Sequence, residues 1–326
     1  MPTHTLGAAC VGKVPTHGDF VRYRATTPAL RAFDEWLQSG LFRARKRRAE
    51  LDAAYDAAPA YRFIYQDPSS APPLLGVMQA SRDRAGRMYP FTVAAEAEPR
   101  ACKGRQFPHL FDRARSFYDQ AQTLVQTATS GALAHPIITE RVQAMTPALQ
   151  DGTAPSPGYD RYLRKETVRT WTEALFGHFG DGRKYRLFSN LLDVIHPLKG
   201  RDTLRVTYGL QFPLGAGGTD RTHQAVFWTD LCLRLLDVPG ATPSAFWTAG
   251  RQETDDASSA LFLFLSPPSP AAFFHLMAPD VKGDPVCDLV TMGDRTATDA
   301  ALALPETYGK PLETESLPLR EFLRAF

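Results

Sequence analysis

Three short apolar runs decide the fold: YRFIYQ at 61–66, LLGVMQA at 74–80 and RMYPFTVAA at 87–95. Each is bounded by Pro, Ser or Gly-containing connections, the pattern of strands. Connections this short join antiparallel neighbours rather than parallel ones. Pro90 has no amide to donate, which favours an edge or bulged position for the third strand. Just upstream, Thr26, Thr27 and Pro28 form a helix start. From there Leu30, Phe33, Leu37, Leu41, Ala44, Leu51 and Tyr55 recur at three, four and seven, along one stripe of a long helix or of two consecutive ones. Downstream, Leu110, Ala114, Phe117, Ala121, Leu124 and Val125 form a second stripe ending near Gly131. Helix, three strands and helix predict a layered α/β arrangement.

Further out the reading is coarser. Leu6–Gly12 is a short apolar run, and Pro15 and Gly18 end it in a loop. Residues 151–158, DGTAPSPG, read as an exposed connection and the best internal boundary. Beyond it 166–179, 187–195 and 224–236 read as helices, 204–212, 244–248 and 260–265 as strands, and GAGG at 215–218 as a flexible loop. A short helix at 270–277, one strand at 286–291 and a weakly periodic tail complete the chain. The expected organisation is an N-terminal α/β region at 1–150, a second at 151–279 that extends the first sheet or forms its own, and a tail at 280–326.

The 326 residues suffice for a large core without staples. With 37 basic and 35 acidic side chains the formal charge is +2, which supplies no global field for nucleic acid. The N-terminus has no basic segment followed by an apolar one, so the cytoplasm is the expected compartment. ALFLFL at 260–265 is far short of the roughly 20 residues of a membrane span. Cys10, Cys102, Cys232 and Cys287 lie far apart and read as reduced, mostly buried thiols.

Polar residues concentrate in two turns, GKVPTHGDF at 12–20 and SRDRAGR at 81–87. In the first, Gly12 and Lys13 precede Val14, the wrong order for a phosphate-cradling loop. His17 and Asp19 could act as an acid/base pair, but nothing local supplies the nucleophile and oxyanion stabiliser a hydrolase also needs, and a surface or partner-contacting histidine is favoured. In the second, Gly86 suits a tight turn that Asp83 caps. The five basic residues Arg43, Arg45, Lys46, Arg47 and Arg48 read as a solvated helix face, with docking of an acidic partner as the alternative. No spacing supports a metal or another cofactor.

GKVPTHGDFV at 12–21, FDEWLQSGL at 33–41 and SRDRAGRMYPFT at 81–92 resemble the TagF family, also called ImpM, of type VI secretion-associated proteins. FWTAG at 246–250 and PPSPAAFFHLM at 267–277 are a weaker echo. The stretch from about 145 to 240 and the tail after 280 depart from shorter relatives. The resemblance implies a mixed α/β sandwich with the sheet between helices. It also implies a non-enzymatic cytoplasmic regulator that represses secretion after translation by binding a forkhead-associated scaffold protein. Its family-like positions are Gly12, Lys13, Pro15, Gly18, Asp19, Phe20, Trp36, Ser81, Asp83, Gly86, Arg87, Pro90 and Thr92. The partner-binding candidates are Lys13, Pro15, His17, Asp19, Ser81, Asp83 and Arg87. Gly12, Gly18, Phe20, Trp36, Gly86, Pro90, Thr92 and Trp247 are expected to be structural. Charged turn residues are rarely buried unless paired, so Lys13, Asp19, Asp83 and Arg87 are either a docking surface or a mutual tie between the two turns. Two rivals stand beside the binding regulator. One is a hydrolase or nucleotide-binding protein using Lys13, His17, Asp19 and Asp83 around one cleft. The other is an adaptor acting through the 145–240 insertion.

Overall fold

The computed structural model describes residues 7–67, 72–97, 104–147, 156–201, 204–215, 220–238, 240–248 and 259–326. In chain order, β1 (Ala9–Gly12) and β2 (Val21–Tyr23) precede α1 (Pro28–Ala44) and α2 (Arg48–Tyr55). Strands β3 (Tyr61–Tyr65), β4 (Leu74–Gln79) and β5 (Phe91–Glu96) follow. The helical stretch comprises α3 (Leu110–Arg113), α4 (Arg115–Thr129), α5 (His135–Ala144), α6 (Pro157–Lys165), α7 (Val168–Phe176) and α8 (Arg183–Ile195). Then come β6 (Gly209–Pro213), α9 (Arg221–Leu236), β7 (Ser244–Thr248), β8 (Ala260–Phe264), α10 (Ala272–Met277) and β9 (Val286–Asp288). The tail adds α11 (Ala297–Ala303), α12 (Glu306–Glu313) and α13 (Leu319–Phe322).

The strands form one sheet in the order β2-β1-β5-β4-β3-β7-β8-β6-β9. Every pairing is antiparallel except β6 with β9. The sheet crosses the boundary expected at 150, because β3 pairs with β7 from Tyr61↔Thr248 to Ile64↔Ala245. Both faces are covered, and alternate residues serve opposite cores. On one face Phe63 and Phe246 meet Phe33 and Trp36 of α1, with Phe33 and Phe63 stacked at 4.6 Å and Trp36 and Phe246 at 5.4 Å. On the other face Ile64 and Trp247 enter a core shared with α3, α4 and α9, and Trp247 lies 4.4 Å from Phe111. A sheet between helix layers is therefore what the chain builds.

Local chemistry explains α1. The Thr27 hydroxyl accepts the Leu30 amide, Pro28 opens the helix, and Phe33, Leu37 and Leu41 are buried in one stripe. Each such side chain stabilises the fold by about 1.5–3 kcal/mol. The stripe continues into α2, but a short 3-10 turn at Arg45–Arg47 separates the two helices.

Several expectations are corrected. The third strand starts at Phe91 rather than Arg87, and it lies inside the sheet between β1 and β4. Pro90 stands just ahead of the ladder, so its missing amide costs nothing there. The edges are instead the three-residue strands β2 and β9. Of the connection expected at 151–158, residues 151–155 lie outside the described residues. Ser156 is buried, and Pro157 and Gly158 open α6. The extended segment at 204–212 narrows to β6, and the strand at 286–291 to β9. Of GAGG, 216–218 lie outside the described residues, as does Cys102; Cys10 and Cys232 are buried and free. The tail is three packed helices: α11 lies on α8, α13 on α6, and Phe322 is 5.7 Å from Phe188. Its approach to the body is backbone-bonded, with the Leu319 amide donating to Glu166 at 2.8 Å.

Candidate functional site

The 12–20 and 81–87 turns are side by side. β1 delivers Lys13, and the hairpin leading from β4 into β5 delivers Asp83. The Lys13 ammonium donates to Asp83 Oδ2 at 2.8 Å, and neither side chain is more than 8% exposed. Arg87 Nε donates to the same oxygen at 2.7 Å, while the Ala85 and Arg87 amides donate to Oδ1, each at 2.9 Å. The carboxylate thus accepts four hydrogen bonds, its full capacity. Burial acts to raise the Asp83 carboxyl, but Lys13, Arg87 and the two amides outweigh it and hold it well below the ordinary carboxylate range.

Backbone bonds complete the seam. The Arg84 amide donates to His17 O at 3.0 Å, and Arg87 Nη2 donates to Gly18 O at 2.6 Å. Beneath it, the Tyr55 hydroxyl of α2 donates to Ser81 O at 3.2 Å. Gly12 has φ +139°, and a Cβ there would lie 2.1 Å from Pro90 O, so only glycine lets the strands approach this closely. Gly86 has φ +79° in an open turn.

Lys13 and Asp83 therefore do not serve as exposed docking groups; they form the tie between the turns. Arg87 spans the seam from its exposed side. Pro15 is half-buried near Gly131, and the Thr16 hydroxyl donates to Leu133 O at 2.7 Å. His17 stacks on His135 at 4.7 Å. Asp19 is exposed, and its carboxylate accepts the Phe20 amide at 2.7 Å. Ser81 and Thr92 are buried. Trp36 and Trp247 are packed on opposite faces of the sheet, remote in role from the seam. Phe20, expected to be packed, is only half-buried, with the Lys13 ammonium 5.2 Å and the Arg22 guanidinium 4.9 Å from its ring centre. The single cleft of the hydrolase reading would need polar groups free to act, and here the Asp83 carboxylate is saturated. Among the described residues no cluster of His, Cys, Asp and Glu is arranged to hold a metal.

Beside the seam lies a groove of about 840 Å³, lined among others by Lys13, Phe20, Arg22, Phe42, Met88 and Tyr89. Phe42 was not singled out in the sequence, although it stands off the buried stripe of α1 and is 68% exposed. A second charged cluster was also not anticipated. His223 sits between Asp112 and Asp220, with Nε2 and Nδ1 each 3.1 Å from a carboxylate oxygen. Arg115 bonds both acids, and the Ser156 hydroxyl donates to Asp112 at 2.7 Å. Burial acts to lower the His223 imidazole, but the two carboxylates outweigh it and raise it above its ordinary value. Only the Asp220 cap of α9, three residues before His223, was a local signal.

Residues 9–145 match the model of the TagF N-terminal domain, a family described as type VI secretion system-associated. Among solved structures, PA0076 from Pseudomonas aeruginosa PAO1 is similar, with a TM-score of 0.49 and 19% identity over 86% of this chain and 97% of that one. No curated protein matches. Among the described residues no helix is long and apolar enough to cross a membrane.

Proposed function

We propose that this protein is a non-enzymatic, cytoplasmic regulator of type VI secretion that acts after translation by binding a forkhead-associated scaffold protein. The TagF N-terminal domain supports the secretion context. The observation that carries the binding mode is the seam. Two turns 70 residues apart are fixed by the Lys13–Asp83 pair, so they form one preorganised rim with Asp19, Arg84 and Gly86 exposed along it. A rigid rim loses little conformational freedom on docking. The Lys13, Asp83 and Arg87 side chains are consumed in holding the seam, which suits a platform better than a reaction centre. Holding the scaffold on this face keeps it from assembling with the secretion machinery.

The test is capture of the purified forkhead-associated scaffold of the same secretion system by the immobilised full chain. Wild type is expected to retain it, and Asp19→Lys combined with Arg84→Glu to weaken retention by about tenfold, the scale of a rim charge change. Absence of capture by wild type sinks the proposal, and unchanged capture by the variant moves the interface elsewhere.

A further inference from the structure

The groove beside the seam has a chemistry of its own. Five cations contribute to its lining, Lys13, Arg22, Arg43, Arg45 and Lys46, and no carboxylate does. Asp34 stands next to it but is already engaged, accepting the Tyr89 phenol and facing Arg22. Lys13 is committed to Asp83. Arg43, Arg45 and Lys46 are different: they are exposed, and among the described residues none makes an ion pair. In the adjoining hairpin, by contrast, Arg82 pairs with Asp56 at 2.7 Å and Arg87 with Asp83. Cations at a helix C-terminus do stabilise the helix dipole. That accounts for charge at the end of α1, but not for a large apolar side chain displayed in the same last turn.

Phe42 is that side chain. Most of its surface faces solvent, in a chain where the other exposed large hydrophobics among the described residues are Ile137 and Leu302. With Leu41 and Met88 it gives the groove an apolar floor between cationic walls. The positive field is local, because the whole chain carries only +2. Nucleic acid fits poorly. Single strands need successive bases stacked on open aromatic faces, and of the aromatic residues lining the groove Phe42 is exposed whereas Tyr89 is buried and the half-buried Phe20 ring is already approached by Lys13 and Arg22.

We propose that this groove binds an acidic peptide segment of a protein partner, with one apolar side chain seated against Phe42 and its carboxylates facing Arg43, Arg45 and Lys46. The inference rests on the reading that this end of the molecule docks a protein, and it names the chemistry of the docked segment. The groove shares Lys13 with the seam, so one partner can span both. Steering would come from the cations and residence from the buried apolar contact.

The probe is a fluorescein-labelled synthetic peptide of about 12 residues, alternating Glu and Ser with one central Leu, long enough to lie along a groove of this kind. Its anisotropy is followed against the full chain. Binding is expected to weaken by about tenfold or more in Arg43→Glu/Lys46→Glu, in Phe42→Ser, with a Leu→Ser peptide, and on raising salt from about 0.05 M to about 0.5 M. These positions are exposed, so unchanged far-UV circular dichroism and melting temperature certify that the variants fold. Equal peptide binding by the charge-reversed variant overturns the inference, as does absence of wild-type binding. Preferential binding of single-stranded DNA or phosphatidylserine vesicles also overturns it. The same variants are assayed for capture of the forkhead-associated scaffold. Undiminished capture by Arg43→Glu/Lys46→Glu defeats the groove while sparing the regulator reading. Peptide binding without scaffold capture by wild type does the reverse.

Discussion

Two charged clusters fasten this molecule across long stretches of sequence, and they are built from different bases. At the seam, Asp83 is shared by a lysine and an arginine, residue types that hold their charge throughout the neutral range. In the second cluster, Asp112 and Asp220 are bridged by His223 as well as by Arg115, and a histidine carries its charge only when protonated. The first joins two loops that form the proposed docking rim. The second joins α3, α4, the start of α6 and the start of α9, and so ties the segments on either side of residue 150. The contrast teaches that the rim is locked independently of pH near neutrality, whereas the tie between the halves combines a permanent bridge, Arg115 to Asp220, with His223 bridges that depend on a proton.

Removing one partner of the seam is the strongest way to break that contrast. Asp83→Ala leaves Lys13 buried without a counter-charge and strips two amides of their acceptor. Loss of one member of a buried pair costs about 3–5 kcal/mol, and urea denaturation of the full chain is expected to show a loss of that size. A double replacement, Lys13→Met with Asp83→Leu, is expected to recover much of it, because no orphan charge remains. A loss below about 1 kcal/mol for Asp83→Ala, the range of exposed pairs, would reduce the seam to an ordinary surface contact. The sign with pH follows from the carboxyl being held low. Its contribution is full above the unfolded value, about 3.9, and disappears as acid protonates the folded form.

The glycines of the two turns separate close approach from backbone strain. Gly12→Ala drives a Cβ into the Pro90 carbonyl in a conformation that L-residues rarely adopt. Strain of about 1–2 kcal/mol adds to overpacking of about 1–3 kcal/mol, so a loss near 3 kcal/mol is expected. At Gly86 nothing lies within 4 Å of the added atom, leaving only the strain of about 1–2 kcal/mol. The same denaturation assay ranks the two. Equal losses would mean that the β1–β5 approach yields easily and that the seam is less rigid than its bonds suggest.

What the sequence disclosed follows from how many residues each element buries. Strands β3, β7 and β8 are buried at every position and are apolar throughout but for Arg62, Ser244 and Thr248, so they stood out as apolar runs. α1 stood out because it buries a full stripe. α5 buries only Ile138 and Val142, and α11 only Ala300, too few to set a period. β2 and β9 are three residues each, too short for an alternation to be diagnostic. The motif turns were recognisable as dense polar loops, and their resemblance to TagF marked the residues. Their pairing was one of two readings that residue types alone could not separate. The His223 cluster was legible only at its Asp220 cap, because Asp112 and His223 are 111 positions apart and nothing local to either announces the other.

The smallest expected effect is also the one that distinguishes the two clusters most directly. His223 is raised in the folded protein, so its contribution to stability is complete below its unfolded value of about 6.5 and declines as pH climbs through the folded value. His109, close by against the Tyr159 ring at 5.7 Å, is shifted the opposite way, because burial lowers it. Its contribution is complete above about 6.5 and is lost toward acid, so it does not imitate a decline on the alkaline side. Asp112 and Asp220 are held low and stay ionised throughout. Stability measured from pH 6 to pH 9 should therefore fall in wild type, and His223→Gln should flatten that fall, converging with wild type at the alkaline end. A flat wild-type profile, or a slope that survives the substitution, would show that the proton on His223 does not hold the halves together. Asp83→Ala supplies the control, since its deficit should be as large at pH 6 as at pH 9 if the seam is locked by permanent charges.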